Sequence, residues 1–419
     1  MTFPDAADAA RVRAFLRDSR ARIVDDIRRL VMIESPSDSL EALGTLHAFL
    51  VHWVGERLGH DAEVQHHRAQ DAPTATSWTV PANDGHRPHR GTRPFVALLG
   101  HYDTVWPLGT TRSWSFAVDG DRLSGPGSYD MKVGLVQMVW LIAALRHTRL
   151  PHPAIRLVMT GDEEVGSAAS RAFLESQSSG AEAVLVFEGA IGDTVKTARK
   201  GIGRFAIDVV GIEAHAGVEP EKGASAIHEL GSLIPRVLSI ALTEAGTSVN
   251  IGVVAGGSRV NVTTARVRLE LEARIHDSAE AARVEAELNA LDATDPRIRL
   301  EVRGSWERPV FERTASVAAL YRRAERVAKR IGVPLSEIAA GGASDGNLVA
   351  ALGLGVLDGL GAPGEGAHAR TEAVSIHGML ERTTLAAMLV SSFGEASERD
   401  DSVRDDGART DGTRMREHG

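Results

Sequence analysis

The chain has 419 residues, a net charge of −9 with acids and bases mixed along it, sixteen histidines and no cysteine. That length exceeds one typical core and fits two domains, or one large domain with an insertion. The composition excludes disulfides and thiolate metal sites and argues against nucleic acid or anionic membrane as partners; with no signal peptide and no apolar run of membrane-spanning length, a cytoplasmic enzyme is the expectation.

Residues 11–32 read as one amphipathic helix, with Phe15, Ile23, Ile27, Leu30 and Val31 on its apolar face. Glu34-Ser35-Pro36-Ser37 stops it, and a second helix is predicted over 39–58, ending at Gly59. Residues 65–93 are polar and rich in His, Pro and Arg, and are expected to form an exposed excursion with His66, His67, His86 and His89 in solvent. Residues 95–99 form a buried-strand run that ends at Gly100-His101-Tyr102-Asp103-Thr104-Val105. A short hairpin is expected over 113–123. Gly125-Pro126-Gly127-Ser128-Tyr129-Asp130-Met131-Lys132 then feeds a long apolar helix over 133–146. The strand at 155–159 leads into Thr160-Gly161-Asp162-Glu163-Glu164-Val165-Gly166, and the strand at 183–187 ends at Glu188. Alternating strands and helices signify a parallel sheet with helices on its faces.

After Lys200 the pattern changes. Residues 202–210 alternate, 224–242 are helical, 248–254 and 260–276 read as strands, 278–291 as a helix and 297–302 as a strand. The long strand places Val267, Leu269, Leu271, Ala273 and Ile275 on one face and charged residues on the other. This is a β-α-β-β-α-β unit, a ferredoxin-like α+β domain, and its open sheet edge is expected to pair with a second copy. The α/β pattern resumes near Pro309. The expected organisation is therefore a discontinuous catalytic domain (1–198 and 309–394), an inserted dimerisation or lid domain (199–308) and a disordered polar tail (395–419).

The chemistry-bearing residues share one context, the C-terminal ends of strands and the loops that follow them, where ligands bind in open α/β sheets. They are His101 with Asp103, Asp130, Glu163 with Glu164, and Glu188, with His368 in a later glycine-rich loop. Without cysteine, such a set suits Zn²⁺ or a similar divalent ion. His101-x-Asp103 fits a ligand and the carboxylate that orients it. Three carboxylates (Asp130, Glu164, Glu188) and a bridging hydroxide would balance two divalent cations. Glu163 and Glu164 are adjacent and point in different directions, so they are assigned different tasks.

These segments, with Ala214-His215-Ala216-Gly217 and Gly366-Ala367-His368, resemble the dinuclear zinc exopeptidases and deacylases. That family includes folate-cleaving glutamate carboxypeptidase, aminoacylase-1, acetylornithine deacetylase and succinyl-diaminopimelate desuccinylase. The likeness spans residues 10–395 and is nearest to the glutamate carboxypeptidase type. It implies a zinc-exopeptidase-like catalytic domain with a mostly parallel sheet, a lid-mediated homodimer, and two Zn²⁺ per subunit, with Co²⁺ or Mn²⁺ as substitutes. Asp130 would bridge the metals, His101 and Glu188 would complete one shell, and Glu164 and His368 the other. Glu163 would be the general base, Asp103 would hold His101, and His215 would reach the partner subunit's site. The Asp130–Met131 peptide would be cis. Arg274, Asn261 and Arg308 match positions that hold a substrate carboxylate, and the loop at 341–347, with Gly342 and Ser344, would lie near the substrate. Lys196, Arg199 and Lys200 fall on no motif that would read a second carboxylate.

The implied reaction is hydrolysis of an N-acyl amino acid or of the C-terminal bond of a small peptide or folate-like conjugate, with glutamate as one leaving group. N-acetyl or N-succinyl deacylation is the alternative. Two readings of other classes compete. Gly342-Ala343-Ser344-Asp345-Gly346 fits the Gly-x-Ser-x-Gly elbow of serine hydrolases, with Asp358 and His368 following in order. A catalytically inactive binding relative would require loss of a metal ligand, and every ligand position is filled.

Overall fold

The computed structural model of the protein describes residues 4–59, 62–83 and 95–394. His86, His89 and the tail at 395–419, expected to be solvated or disordered, lie outside the described residues. The chain opens with α1 (Ala6–Asp18), α2 (Arg20–Met32) and α3 (Leu40–Leu58). The single helix expected over 11–32 is thus two. The break falls at Ser19, whose N–H bonds back to Phe15 O and whose hydroxyl accepts from Arg22.

Next come β1 (Glu63–His67), β2 (Ala75–Val80) and β3 (Phe95–His101). The exposed excursion expected over 65–93 is corrected at β2, while residues 84–93 lie outside the described residues. Ala75 to Trp78 are buried in β2, whose polar residues find internal partners: Thr76 Oγ1 meets His47 Nε2 at 2.7 Å and His66 Nδ1 at 2.9 Å. Buried Thr76 and Ser77 interrupt the apolar Ala75, Trp78 and Val80, so the strand has no continuous apolar run to read.

A short helix, α4 (Thr110–Ser113), and the hairpin β4 (Ala117–Asp119) and β5 (Arg122–Ser124) lead to α5 (Val133–Thr148). Then follow β6 (Ala154–Thr160), α6 (Arg171–Ser178), β7 (Ala183–Val186) and β8 (Thr194–Arg199). The inserted unit holds β9 (Gly201–Val210), α7 (Ala226–Leu238), β10 (Ser248–Gly256), β11 (Arg266–Ile275), α8 (Ser278–Asn289) and β12 (Arg299–Arg308). The chain closes with α9 (Ala315–Ile331), β13 (Ser336–Ala340), α10 (Asp345–Ala350), β14 (Val356–Leu357), β15 (Gly364–Glu365), β16 (Ala373–Ser375) and α11 (Ile376–Ser391).

The central sheet runs β1-β2-β6-β3-β7-β14. β3 pairs in parallel with both β6 and β7, and β14 in parallel with β7, while β1 and β2 are antiparallel additions. All seven residues of β3 are buried, as expected for a parallel strand covered on both faces. α5 lies against this sheet and is buried almost all round, packed also by α1, α2, α3 and α11. The approach is close: a Cβ on Gly134 would stand 2.1 Å from Phe187 O, so only glycine lets α5 rest on the end of β7. The stretch Ser128–Thr148 is long and apolar enough to cross a membrane, but 83% of its most apolar window is buried inside the fold, so it is a core helix.

The inserted unit is an antiparallel sheet, β10-β11-β9-β12, with α7 and α8 packed on one face. Ile207, Val209, Leu269, Leu271, Leu233 and Leu288 form its own core. Strands β10 and β12 are its edges. Side chains tie it to the catalytic domain: Arg274 Nη1 donates to Gly341 O at 3.0 Å, and Arg308 Nη1 donates to Asp345 Oδ1 at 2.9 Å.

Candidate active site

The spatial order β6-β3-β7 puts three parallel strand ends side by side. His101 ends the middle strand, Glu163 and Glu164 follow β6 in a short helical turn, and Glu188 follows β7. Carboxylates from both neighbouring strands therefore converge on one imidazole. Asp130 arrives from the loop ahead of α5, and His368 from the loop between β15 and β16, at φ 61°.

Asp130 faces two donor sets with its two oxygens. Oδ1 lies 3.2 Å from His101 Nε2, which is itself 3.4 Å from Glu188 Oε1. Oδ2 lies 3.3 Å from His368 Nε2, which is 3.2 Å from Glu164 Oε2. Ligand atoms held about 2.0–2.1 Å from one tetrahedral ion stand roughly 3.3–3.4 Å apart, so both sets have the spacing of a metal shell. The donor atoms of His101, Asp130 and Glu164 lie within 4.8 Å of one another, as do those of His101, Glu163 and Glu188. Glu164 Oε1 is buried with no hydrogen-bond partner, as a ligand oxygen without its cation would be. These residues fit divalent metal.

The surrounding charges are strongly coupled. Burial would lower His101, but Asp103, Asp130 and Glu188 outweigh it and hold the imidazole well above its ordinary value. The Asp130 and Glu164 carboxylates raise His368 to about 10. Burial pushes Glu163 well above the usual carboxylate range, against the pull of His101 and Arg308, and it raises Glu164 as well.

Asp103 is fully buried and holds more than the imidazole. His101 Nδ1 lies 3.3 Å from Asp103 Oδ1 and 3.1 Å from the Asp103 carbonyl oxygen. The same carboxylate accepts the backbone N–H of Glu163 at 3.2 Å, the N–H of Glu164 at 3.1 Å and the Ser37 hydroxyl at 2.8 Å. The Asp130–Met131 peptide is cis.

The substrate-facing expectations divide. Arg274 is partly exposed, paired with Glu272 at 2.7 Å, and touches the glycine-rich loop at Gly341. Gly342 is exposed in that loop. Asn261 and His215 lie together on the lid, where Asn261 O accepts from Ala216 N at 3.1 Å and His215 Nδ1 accepts from Gly217 N at 3.1 Å. His215 is exposed, and these contacts are within the lid. Arg308 is 4% exposed, with its guanidinium on Asp345, Glu163 and Ser167 rather than open to a substrate carboxylate. Lys196 Nζ donates to Gly189 O at 2.9 Å, and Arg199 pairs with Asp358 at 2.6 Å.

Ser344 is corrected, both as a substrate contact and as a nucleophile. It is fully buried and caps α10, accepting from Gly346 N at 3.0 Å and donating to Asp358 Oδ2 at 2.6 Å. Asp358 is held by Arg199, and His368 belongs to the carboxylate cluster. The elbow motif is a helix start, and the local sequence of the two is the same.

Two contributors went unread. Glu372 is fully buried four residues after His368 and gathers the loop that carries Asp130. Oε1 accepts from Tyr129 N at 2.7 Å and Asp130 N at 3.0 Å; Oε2 accepts from Gly127 N at 3.1 Å and Trp106 Nε1 at 2.9 Å. Burial still pushes its carboxyl up to about 7 against these donors. Asp345 accepts from Thr160 Oγ1 at 2.9 Å, from Arg308 Nη1 at 2.9 Å and from the Ser167 hydroxyl. A single acid in a polar loop gives no periodic signal, so neither could be told from a surface carboxylate.

Residues 97–392 match the model of peptidase family M20/M25/M40, a span that covers well over half of the chain and every residue of the cluster. The chain belongs to the M20/M25/M40 peptidase family. Carboxypeptidase G2 of Pseudomonas sp. strain RS-16 is 26% identical over 386 residues, 90% of either chain. Acetylornithine deacetylase of Myxococcus xanthus is 32% identical over 198 residues, 43% of this chain and 50% of that one. The crystal structure of aminopeptidase PepT from Bacillus cereus superposes with a TM-score of 0.72 at 22% identity, covering 90% of this chain and 99% of that one. The M20 fold, a catalytic α/β domain with an inserted lid, is thus shared, and the protein is a hydrolase of the peptidase and amidohydrolase class.

Proposed function

We propose that this M20 protein is a two-metal amidase of carboxypeptidase type, which hydrolyses an N-acyl amino acid or the C-terminal bond of a small peptide or folate-like conjugate. The observation that carries the reading is Asp130, whose two oxygens face separate His–carboxylate sets while the Glu163 carboxylate stands beside them, Oε2 4.0 Å from His101 Nε2. Zinc is the expected metal because the donors are imidazole and carboxylate with no thiolate. When bound, two divalent ions polarise the scissile carbonyl and acidify the attacking water. Glu163 takes the proton of that water as it attacks and returns it to the departing amine nitrogen.

Arg274 and Asn261 are assigned to the free carboxylate of the substrate, which favours release of an amino acid. Similarity to carboxypeptidase G2 over nine tenths of both chains supports that direction. Glutamate is the released residue only by that similarity, since Lys196 and Arg199 are buried on internal partners. His215 is assigned to the partner subunit's site as a donor to the developing oxyanion. This requires a homodimer through the lid, for which β10 offers an edge strand with Val253 and Val254 half exposed. A cytoplasmic location belongs to the same proposal. Deacylation of N-acetyl or N-succinyl amino acids is the second reading, favoured by the acetylornithine deacetylase relative.

The test is a panel of N-acyl amino acids and dipeptides on zinc-reconstituted protein, scored by released amino acid. Turnover that a chelator abolishes and zinc restores supports the proposal. Chelator-resistant turnover, or none with any amide while two metals are bound, overturns it.

A further inference from the structure

Arg308 is the last residue of the lid strand β12, yet its side chain is buried in the catalytic domain. Nη1 donates to Asp345 Oδ1 at 2.9 Å. Nη2 reaches Glu163 twice, the carboxylate Oε1 at 3.1 Å and the carbonyl oxygen at 3.0 Å, and it also meets Ser167 Oγ at 2.8 Å. Asp345 is itself 3% exposed and held from the end of β6 by Thr160 Oγ1 at 2.9 Å.

Two consequences follow from this arrangement. Of the five N–H donors of the guanidinium, these contacts commit those on Nη2 and one on Nη1 to buried acceptors, so the fork is seated on this cluster and a substrate carboxylate could take both of its ends only by displacing Asp345 or Glu163. A buried ion pair stabilises little over an apolar pair of the same size, and its best-attested use is to fix one geometry. Here the fixed object is Glu163. Asp103 holds its backbone N–H from one side, and Arg308 holds its carbonyl and one carboxylate oxygen from the other. Its second oxygen, Oε2, is left facing His101 and the metal-facing donors.

We propose that Arg308 is a positioning residue: anchored by Asp345, it holds Glu163 Oε1 so that Oε2 is aimed at the attacking water. The inference rests on the reading of Glu163 as general base. Because Arg308 belongs to the lid and Glu163 to the catalytic domain, the same contact ties the seating of the lid strand to the aim of the base.

The test compares Arg308→Met, Arg308→Lys, the double variant Arg308→Met/Asp345→Asn and Glu163→Gln, each loaded with zinc. Activity is measured on the best substrate of the amide panel. Arg308→Met is expected to lose about 10²-fold in kcat, the cost of a catalytic group misplaced by about 1 Å, with KM little changed and two zinc ions still bound. Arg308→Lys recovers part of the loss, since an ammonium can still reach Oε1. The double variant removes both buried charges, so a kcat loss that persists there is not the effect of an orphaned Asp345. Crystal structures read the aim directly: in Arg308→Met the Glu163 carboxylate should leave its place by more than about 0.5 Å, the tolerance of a productive site. An unmoved carboxylate overturns the proposal, as does a raised KM with kcat intact, which would make Arg308 a reader of the substrate carboxylate. Full activity in Glu163→Gln defeats the general-base reading itself, independently of where Arg308 holds that side chain.

Discussion

Asp103 Oδ2 accepts the backbone N–H of Glu164 at 3.1 Å, so the carboxylate that faces His101 also fixes the turn that carries Glu164, the glutamate proposed for the second metal. One buried side chain thereby couples both halves of the donor set. Asp103→Asn keeps the shape but turns an amide N–H₂ toward groups that need an acceptor. Metal affinity should fall by 10- to 100-fold, the usual effect of losing the group that orients a ligating histidine. Competitive zinc titration checks this, and wild-type affinity in Asp103→Asn would defeat it.

Glu163→Gln removes the base and leaves the shape of the turn. The variant should keep two zinc ions per chain, measured by elemental analysis, and lose about 10²- to 10⁴-fold in kcat. Retained turnover would remove the general-base assignment.

Glu372→Gln is expected to be more damaging than a conservative change suggests. Its four partners are all N–H donors, so an amide N–H₂ in place of either oxygen leaves buried donors unmet. The loss should be about 2–3 kcal/mol of unfolding free energy, with weaker metal retention because the Asp130 backbone loosens. Denaturant melts and zinc content, read together, test both halves.

Ser344→Ala removes a helix cap and a hydrogen bond to Asp358, and no nucleophile. Stability should drop by about 1 kcal/mol while metal-dependent turnover survives. A serine-directed inhibitor should leave the wild-type protein active. Complete loss of activity in a folded Ser344→Ala protein would reopen the elbow reading.

In protein stripped of metal, Asp130 and Glu164 keep His368 protonated up to about pH 10. Its folded-state value lies above the ordinary histidine value, so the charged form is the one favoured, and zinc must displace that proton. Apparent affinity should therefore rise with pH below about 10, roughly tenfold per unit for each proton released. Proton release measured by calorimetry in buffers of different ionisation enthalpy checks the sign. A pH-independent affinity between 6 and 8 would contradict it.

The sequence alone carried the pattern of elements and the residues that stand at the strand ends. Apolar runs ending in His101, Glu163–Glu164 and Glu188 are legible because a buried parallel strand must be continuously apolar, and its end is where polar chemistry can begin. The ferredoxin-like unit was legible through a different pattern, the strict alternation of Val267 to Ile275 on a sheet covered on one face. What the chain order does not contain is that β3 lies between β6 and β7, which alone makes the three strand ends meet. Nor does it contain the buried polar contacts. Arg308 reads as a surface or substrate-facing arginine until its partners Asp345 and Glu163 are found 37 and 145 positions away. Ser344 reads as a substrate-loop residue, with a nucleophile elbow as the competing reading, until its hydroxyl is seen capping α10. Hydrophobic burial leaves a periodic mark on the sequence. A hydrogen bond between distant polar groups leaves none, because its energy depends on which atoms the fold brings within about 3 Å.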